Sequence, residues 1–246
     1  MKTEQHSTIA PLRNVALCMK AMEIVMTADE RMPRMVCFYG KTGTGKSVSA
    51  GYTANKYDAF YVECRSVWTR KSLLTGIAHA IGLMPAKTMS DMVDQISGAL
   101  VASNKPLIID EMDYIVDRKA VEIVRDIYES SGAPILLIGE ENLPSKLAQW
   151  KQFNGRIMDF IETKKGTPDD ARVLLKFYCR RGVSIADDLL ADMTAAADGL
   201  IRLMCVNLVR IEEETLTMGK TDVDLATWKK WGKGYLTGSV RLVRSK

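Results

Sequence analysis

Between Pro11 and about Ala28 the apolar residues Leu12, Val15, Ala16, Met19, Met22, Ile24 and Val25 recur at helical spacing and predict an amphipathic helix. After Pro33 the pattern changes. Met35 to Tyr39 is a short apolar run of the kind a buried strand needs, it breaks at Gly40, and a helix is predicted from near Lys46. A second strand is predicted at Ala59 to Glu63, followed by helices at about Lys71 to Gly82 and Ser90 to Ser103 and a third strand at Leu107 to Asp110. A helix near Lys119 to Ser130 leads to a fourth strand at Pro134 to Gly139, then a helix at Asn142 to Gln149 and a fifth strand at Arg156 to Glu162. Strands that alternate with helices and are almost continuously apolar predict a parallel sheet covered on both faces. Beyond Gly166 the strand patterns stop, and helices are predicted at Pro168 to Arg181, Asp187 to Ala197, Leu200 to Thr217 and Leu225 to Trp231.

The composition changes this picture little. A chain of 246 residues, 47% apolar and 26% charged, is large enough for one α/β core with a small appended domain, and neither disorder nor a fibrous repeat is supported. The longest apolar stretches, such as Ala133 to Gly139, are far too short to cross a bilayer, and Met1 to Leu12 lacks the basic-then-apolar order of a secretory signal. No membrane association and a cytoplasmic location are the expectations. Cys18, Cys37, Cys64, Cys179 and Cys205 form no CxxC pair and are read as buried free thiols; His6 and His79 do not complete a metal site. The net charge of +4 does not by itself imply a nucleic-acid partner.

The chemistry begins at Gly40, Lys41, Thr42, Gly43, Thr44, Gly45, Lys46 and Ser47, a complete GxxxxGK[ST] pattern placed between a predicted strand and a predicted helix. Its glycines let backbone N–H groups turn toward phosphate oxygens, and the following helix start adds further free N–H groups and partial positive charge. Lys46 is expected to reach the β- and γ-phosphates of ATP, Ser47 to ligate Mg²⁺, and Val48 to complete the nucleotide-binding segment. The strand Leu107-Ile108-Ile109 ends in Asp110 and Glu111, the form of a Walker B motif. Asp110 is expected to hold Mg²⁺ through its water shell and Glu111 to polarise the attacking water. That adjacent glutamate, with a strand interposed between cradle and Walker B, favours hydrolysis over phosphoryl transfer to a metabolite.

With these motifs, the strand Ile135 to Gly139 and the helical C-terminal region, the chain resembles the AAA+ superfamily over nearly its whole length. The resemblance implies a P-loop AAA+ fold: a parallel five-stranded sheet with helices on both faces, then a small helical lid domain. It divides the chain into an N-terminal helical lead-in (1–34), a nucleotide-binding α/β domain (35–166), the lid (167–232) and a basic C-terminal tail (233–246). More narrowly, the segments GKTGTGKS, LIIDEMDYI, ILLIGEENL and GLIRLMCVNL resemble the phage Mu-type transposition helper ATPases and related transposon regulators. In such proteins the tip of the fourth strand carries a polar sensor of the γ-phosphate; here that place holds Gly139, Glu140, Glu141 and Asn142, so the role falls on Glu140, Asn142 or neither. The resemblance makes Arg156 an arginine finger completing a neighbour's site and Arg202 a second sensor touching nucleotide in cis; an ordinary solvated arginine is the competing reading of each.

The segment after the second strand, Cys64 to Lys71, places Arg65, Arg70 and Lys71 around Trp68, a tryptophan expected to be exposed. In DNA-wrapping relatives this loop contacts phosphates, so Arg65, Thr69, Arg70 and Lys71 are the candidates for gripping the DNA backbone, a solvated helix cap being the alternative. The tail residues Lys220, Lys229, Lys230, Lys233, Arg241, Arg244 and Lys246 add positive charge, and Trp228, Trp231 and Tyr235 read as a packing stripe. The leading expectation is an ATP- and Mg²⁺-dependent ATPase that binds double-stranded DNA without regard to sequence and assembles as a ring or helical homo-oligomer. On that reading it selects targets for a transposase. The alternatives are a helicase loader or replication initiator, a secretion or envelope-assembly ATPase with a protein partner, and a switch that binds ATP with little turnover.

Overall fold

The computed structural model describes residues 10–29 and 31–237; His6 and the tail cations Arg241, Arg244 and Lys246 lie outside the described residues. The chain divides into two compact units. One consists of Asn14–Thr42 and Lys46–Thr163, and the other holds Gly43–Gly45 with the described residues from Lys164 onward and those before Asn14.

In chain order the elements of the first unit are α1 (Arg13–Thr27), β1 (Met35–Tyr39), α2 (Lys46–Tyr57), β2 (Phe60–Glu63), α3 (Arg70–Ile81), α4 (Met89–Ser103), β3 (Leu107–Asp110), α5 (Met112–Asp117), α6 (Val121–Ser131), β4 (Ile135–Gly139), α7 (Leu143–Leu147), α8 (Lys151–Asn154) and β5 (Ile157–Glu162). The strands form one parallel sheet in the order β2-β3-β4-β1-β5. Because side chains alternate along a strand, each central strand feeds two cores. Val36, Phe38, Ile108, Leu136 and Ile138 pack with Cys18, Met22 and Val25 of α1 and Ala50 of α2. Met35, Cys37, Leu107, Ile109, Ile135 and Leu137 pack with Leu73, Leu74 and Ile77 of α3, Ile96 of α4 and Val124 and Ile127 of α6. Burial on both faces is why these strands read as unbroken apolar runs rather than alternating ones.

Caps set several helix starts. Thr69 and Thr88 accept backbone N–H groups from Ser72 and Asp91 at the starts of α3 and α4. The helix expected from Lys119 instead begins at Val121, since Lys119 takes a left-handed conformation (φ 53°) that a helix interior does not accommodate. A further short helix, α5, fills the stretch after Glu111 that had no helical pattern; six residues are too few to show one, and Met112, Ile115 and Val116 are buried by the sheet core.

The second unit contains α9 (Pro168–Tyr178), β6 (Ser184–Ile185), α10 (Asp187–Ala196), α11 (Ile201–Thr217), β7 (Asp222–Val223) and α12 (Leu225–Lys230). Thr167 and Asp170 form a reciprocal capping box at the start of α9, with Pro168 in its first turn. The expectation that strands stop at Gly166 is corrected here: β6 and β7 pair in parallel, Ser184 with Asp222 and Ile185 with Val223. Two residues per strand leave no periodicity to detect, yet Ile185 and Val223 both join the helical core with Leu189, Met193, Met204, Leu208 and Ile211. The aromatic stripe packs as expected: Trp228 is buried, stacks on Tyr235 with centroids 5.9 Å apart, and meets Trp231 edge-on at 6.4 Å.

Candidate functional site at the strand ends

The sheet order brings β3, β4 and β1 side by side, so the turns leaving their C-terminal ends share one edge of the sheet, the usual ligand side of an open parallel sheet. Tyr39 pairs with Gly139, and the Gly40 amide donates to the Gly139 carbonyl at 3.3 Å. Only glycine fits at Gly40: a Cβ there would stand 1.8 Å from Thr163 Oγ1, and its φ is +155°. Gly43 and Gly45 both have φ of +88°, and a Cβ on Gly45 would meet nothing within 4 Å, leaving that stretch of loop backbone open to an approaching ligand.

Lys46, the first residue of α2, is buried and folds back over the loop, its ammonium donating to the carbonyls of Gly40 at 2.7 Å and Lys41 at 3.0 Å. Desolvation lowers its pKa, opposed by the charges of Glu111, Asp110, Glu140 and Asp113. An ammonium with its water largely stripped and only neutral carbonyls in contact is poised for an anion. Ser47 and Val48 are exposed in the same first turn.

Asp110 ends β3 and is 1% exposed. Its Oδ2 accepts the Tyr61 hydroxyl at 2.9 Å, and its Oδ1 accepts the Glu111 amide at 2.8 Å. Glu111 turns the chain from β3 into α5 in a left-handed conformation (φ 56°), a sparsely populated state for a residue with a Cβ. Desolvation raises its pKa, and the neighbouring Asp110 charge raises it further against the opposing effect of Lys46. Tyr61 was not singled out from the sequence. Its contact spans 49 positions, and only the pairing of β2 with β3, Glu63 opposite Asp110, places the phenol beside that carboxylate.

The tip of β4 completes the cluster. Asp113, 4% exposed, accepts the Glu140 amide on Oδ2 at 2.6 Å, and a Cβ on Gly139 would come within 2.3 Å of that oxygen. Lys146 places its ammonium 3.2 Å from Asp113 and 2.9 Å from Asp117. Glu140 then accepts the Thr42 hydroxyl on Oε1 at 3.1 Å. Of the two candidates for the β4 tip it is Glu140 that touches the cradle, whereas Asn142 is exposed at the start of α7 and makes no capping hydrogen bond. Asp113 is a second residue the sequence reading passed over, hidden in a short helix without a pattern.

Arg156, Arg202 and the basic segment are the remaining candidates. Arg156 pairs with Glu129 of α6 at 2.5 Å, both side chains about half exposed. Arg202 is exposed at the start of α11, in the second unit, where its amide donates to the Gly43 carbonyl at 3.0 Å. Arg65, Thr69, Arg70 and Lys71 are exposed around the start of α3. Arg65, Thr69 and Lys71 line a groove with Trp68, Gly76 and His79, while Arg70 donates to the Lys119 carbonyl at 3.1 Å. Trp68 itself corrects an expectation. It is half-buried, its ring lying where a Gly76 Cβ would meet it at 2.5 Å, because the glycine opens a seat on α3 that an apolar ring fills.

Among the described residues no helix is long and apolar enough to cross a membrane. Residues 30–147 match the family model described as an AAA domain. The chain is 31% identical over 142 residues to an ORC1-type DNA replication protein of Desulfurococcus amylolyticus, a match covering 50% of this chain and 36% of that relative. It therefore spans only about a third of that relative's length (36%). The fold is similar to that of the Aeropyrum pernix ORC2 protein solved in ADPNP–ADP complexes, with TM-score 0.68, 17% identity, and 92% of this chain and 69% of that chain covered. It is similar as well to the Aeropyrum pernix ORC1 protein in complex with DNA, with TM-score 0.62, 16% identity, and 92% and 66% covered. Together with the parallel five-stranded sheet and the loop at its edge, these matches show that the chain has the AAA+ P-loop fold, with residues 30–147 matching an AAA domain.

Proposed function

We propose that the chain is a Mg²⁺-dependent ATPase of the replication-initiator kind, which engages duplex DNA through its backbone and acts as a homo-oligomer. The observation that carries the ATPase part is the convergence of Lys46, Asp110 and Glu111 on one sheet edge beside a glycine loop with open backbone. Lys46 exchanges its carbonyl contacts for phosphate oxygens, and the loop amides from Gly43 to Val48 surround the remaining phosphates. Ser47 and Asp110 fit a hard cation held in part through water, and Mg²⁺ bound there would neutralise charge on the phosphate oxygens. Tyr61 keeps Asp110 fixed while Glu111, its pKa raised by desolvation, accepts the proton of the attacking water. Arg156 serves a neighbouring copy, and to do so it leaves Glu129.

The initiator reading is preferred to transposition because the matched relative is a DNA replication protein and a structure of the same fold was solved on DNA. A transposase as partner has no comparable support. Arg65, Thr69, Arg70 and Lys71 supply exposed donors suited to phosphate rather than to base edges. The test is ATP hydrolysis by the purified chain with Mg²⁺, alone and with two unrelated duplexes, set beside equilibrium DNA binding. Turnover that rises with either duplex and vanishes in Lys46→Ala is the expected result. Turnover without any duplex binding at low salt removes the DNA part and leaves a protein partner; no turnover in any condition removes the ATPase part.

A further inference from the structure

Asp110 is buried to 1% exposure, and among the described residues its carboxylate has two hydrogen bonds and no ion-pair partner. A buried charge of that kind is stable when a cation joins it, which is the observation that fits a metal here. Each oxygen has given up one lone pair: Oδ1 accepts the Glu111 amide at 2.8 Å and Oδ2 accepts the Tyr61 hydroxyl at 2.9 Å. The backbone is held as well, since the Asp110 carbonyl accepts the Cys64 amide at 2.9 Å. Tyr61 reaches its place through the register of the sheet. It lies beside Ile108 in the pairing of β2 with β3, and Ile108 and Asp110, two residues apart, share a face of β3. The phenol therefore leans along the strand to the carboxylate while its ring packs against the core that holds Ile108 and Leu136.

A carboxylate fastened at both oxygens cannot turn about its Cβ–Cγ bond without breaking one of the two bonds. Cations differ in what they ask of it. Mg²⁺ dehydrates reluctantly, and a water of its shell can bridge to a carboxylate that stays in place, whereas Ca²⁺ takes carboxylate oxygens directly, one or two at a time. Resting on the ATP-cradle reading and its Mg²⁺, we propose that Tyr61 is a specificity-determining residue for the cation: it holds Asp110 where it serves hydrated Mg²⁺ and withholds it from direct ligation of Ca²⁺. Tyr61→Phe fills the same space and leaves Oδ2 free to turn.

The experiment is equilibrium titration of the whole chain with a non-hydrolysable triphosphate analogue in Mg²⁺, in Ca²⁺ and in EDTA, for the wild type and Tyr61→Phe. The wild type binds about tenfold more tightly with Mg²⁺ than with Ca²⁺, the lower end of what one hydrogen bond to a charged group is worth. Tyr61→Phe closes most of that gap by tightening binding with Ca²⁺, and affinity in EDTA stays as it was. A ratio unchanged by the substitution overturns the proposal, and so does an equal loss in all three conditions, which is what a purely structural phenol gives. Narrowing that comes from weaker binding with Mg²⁺ alone makes Tyr61 a simple support of Asp110 and is equally fatal. A wild type without preference for Mg²⁺ over Ca²⁺ overturns the proposal too, and that arm stands even if Tyr61→Phe fails to fold by circular dichroism. Two other outcomes reach further. Wild-type binding that is the same in EDTA as in either cation removes the metal from the cradle reading, and no binding in any condition removes the cradle itself; this inference falls with each.

Discussion

The strand-end site and the basic segment at the start of α3 both carry cations that the sequence marks, and the fold treats them in opposite ways. Lys46 is buried, tied to two loop carbonyls and faced by four carboxylates from β3, α5 and the β4 tip. Arg65, Arg70 and Lys71 are exposed on a loop and a first helical turn, and of these Arg70 takes a backbone carbonyl of the chain, that of Lys119. A desolvated group in a fixed constellation gives up interactions that water cannot replace, whereas an exposed cation trades one solvated partner for another. Substitutions at the strand ends should therefore act as near-switches, and those in the basic segment as graded adjustments.

The largest effect is expected at Glu111. Glu111→Gln removes the base and keeps the shape, so turnover falls by about 10²- to 10⁴-fold while nucleotide affinity persists. Steady-state hydrolysis beside a binding titration decides it; near-normal turnover would assign the water to another group. Arg156→Ala comes next, lowering assembly-stimulated hydrolysis by up to about 10³-fold without weakening nucleotide binding by dispersed protein. Mixing it with Glu111→Gln protein should recover some activity, since an intact arginine on one copy can serve an intact carboxylate on another. No recovery at any ratio would leave Arg156 as the surface partner of Glu129 and nothing more.

The basic segment should respond more gently. Arg70→Ala with Lys71→Ala is expected to weaken unrelated duplexes equally and to flatten the slope of log affinity against log salt by roughly 0.9 per lost contact. A change confined to one sequence would mean base readout, and no change would mean that the two cations only solubilise the start of α3. Smallest is Thr69→Ala. Its hydroxyl caps α3 through the Ser72 amide at 3.2 Å, so stability should drop by about 1 kcal/mol in a denaturant melt. A loss of DNA affinity larger than this cap accounts for would support Thr69 as a phosphate contact, and none would leave it as the cap alone.

Much of the α/β unit was readable before any coordinates. The strand at Leu107 to Asp110 has the boundaries its apolar run implies, and the loop from Gly40 sits between a strand and a helix as its glycines require. What escaped was short or distant. The two-residue pairing of β6 with β7 and the six-residue α5 have no period to reveal them. Trp68 looked exposed because three cations adjoin it in sequence, but eight residues on Gly76 clears a seat for its ring.

The sequence by itself determined where the glycine loop lies and which residues are candidates for phosphate chemistry, because the spacing of glycines, lysine and hydroxyl within Gly40 to Ser47 is a local property that a strand and a helix merely display. It determined equally that the sheet would be covered on both faces, since buried parallel strands leave no polar alternation. Only the tertiary structure decided who surrounds Lys46. Tyr61 reaches Asp110 across 49 positions and Glu140 reaches Thr42 across 98, contacts created by the order β2-β3-β4-β1 and invisible to any window along the chain. Only it set Glu140 rather than Asn142 against the loop, because the buried carboxylate of Asp113 holds the Glu140 amide and Asn142 lies beyond it in the turn into α7.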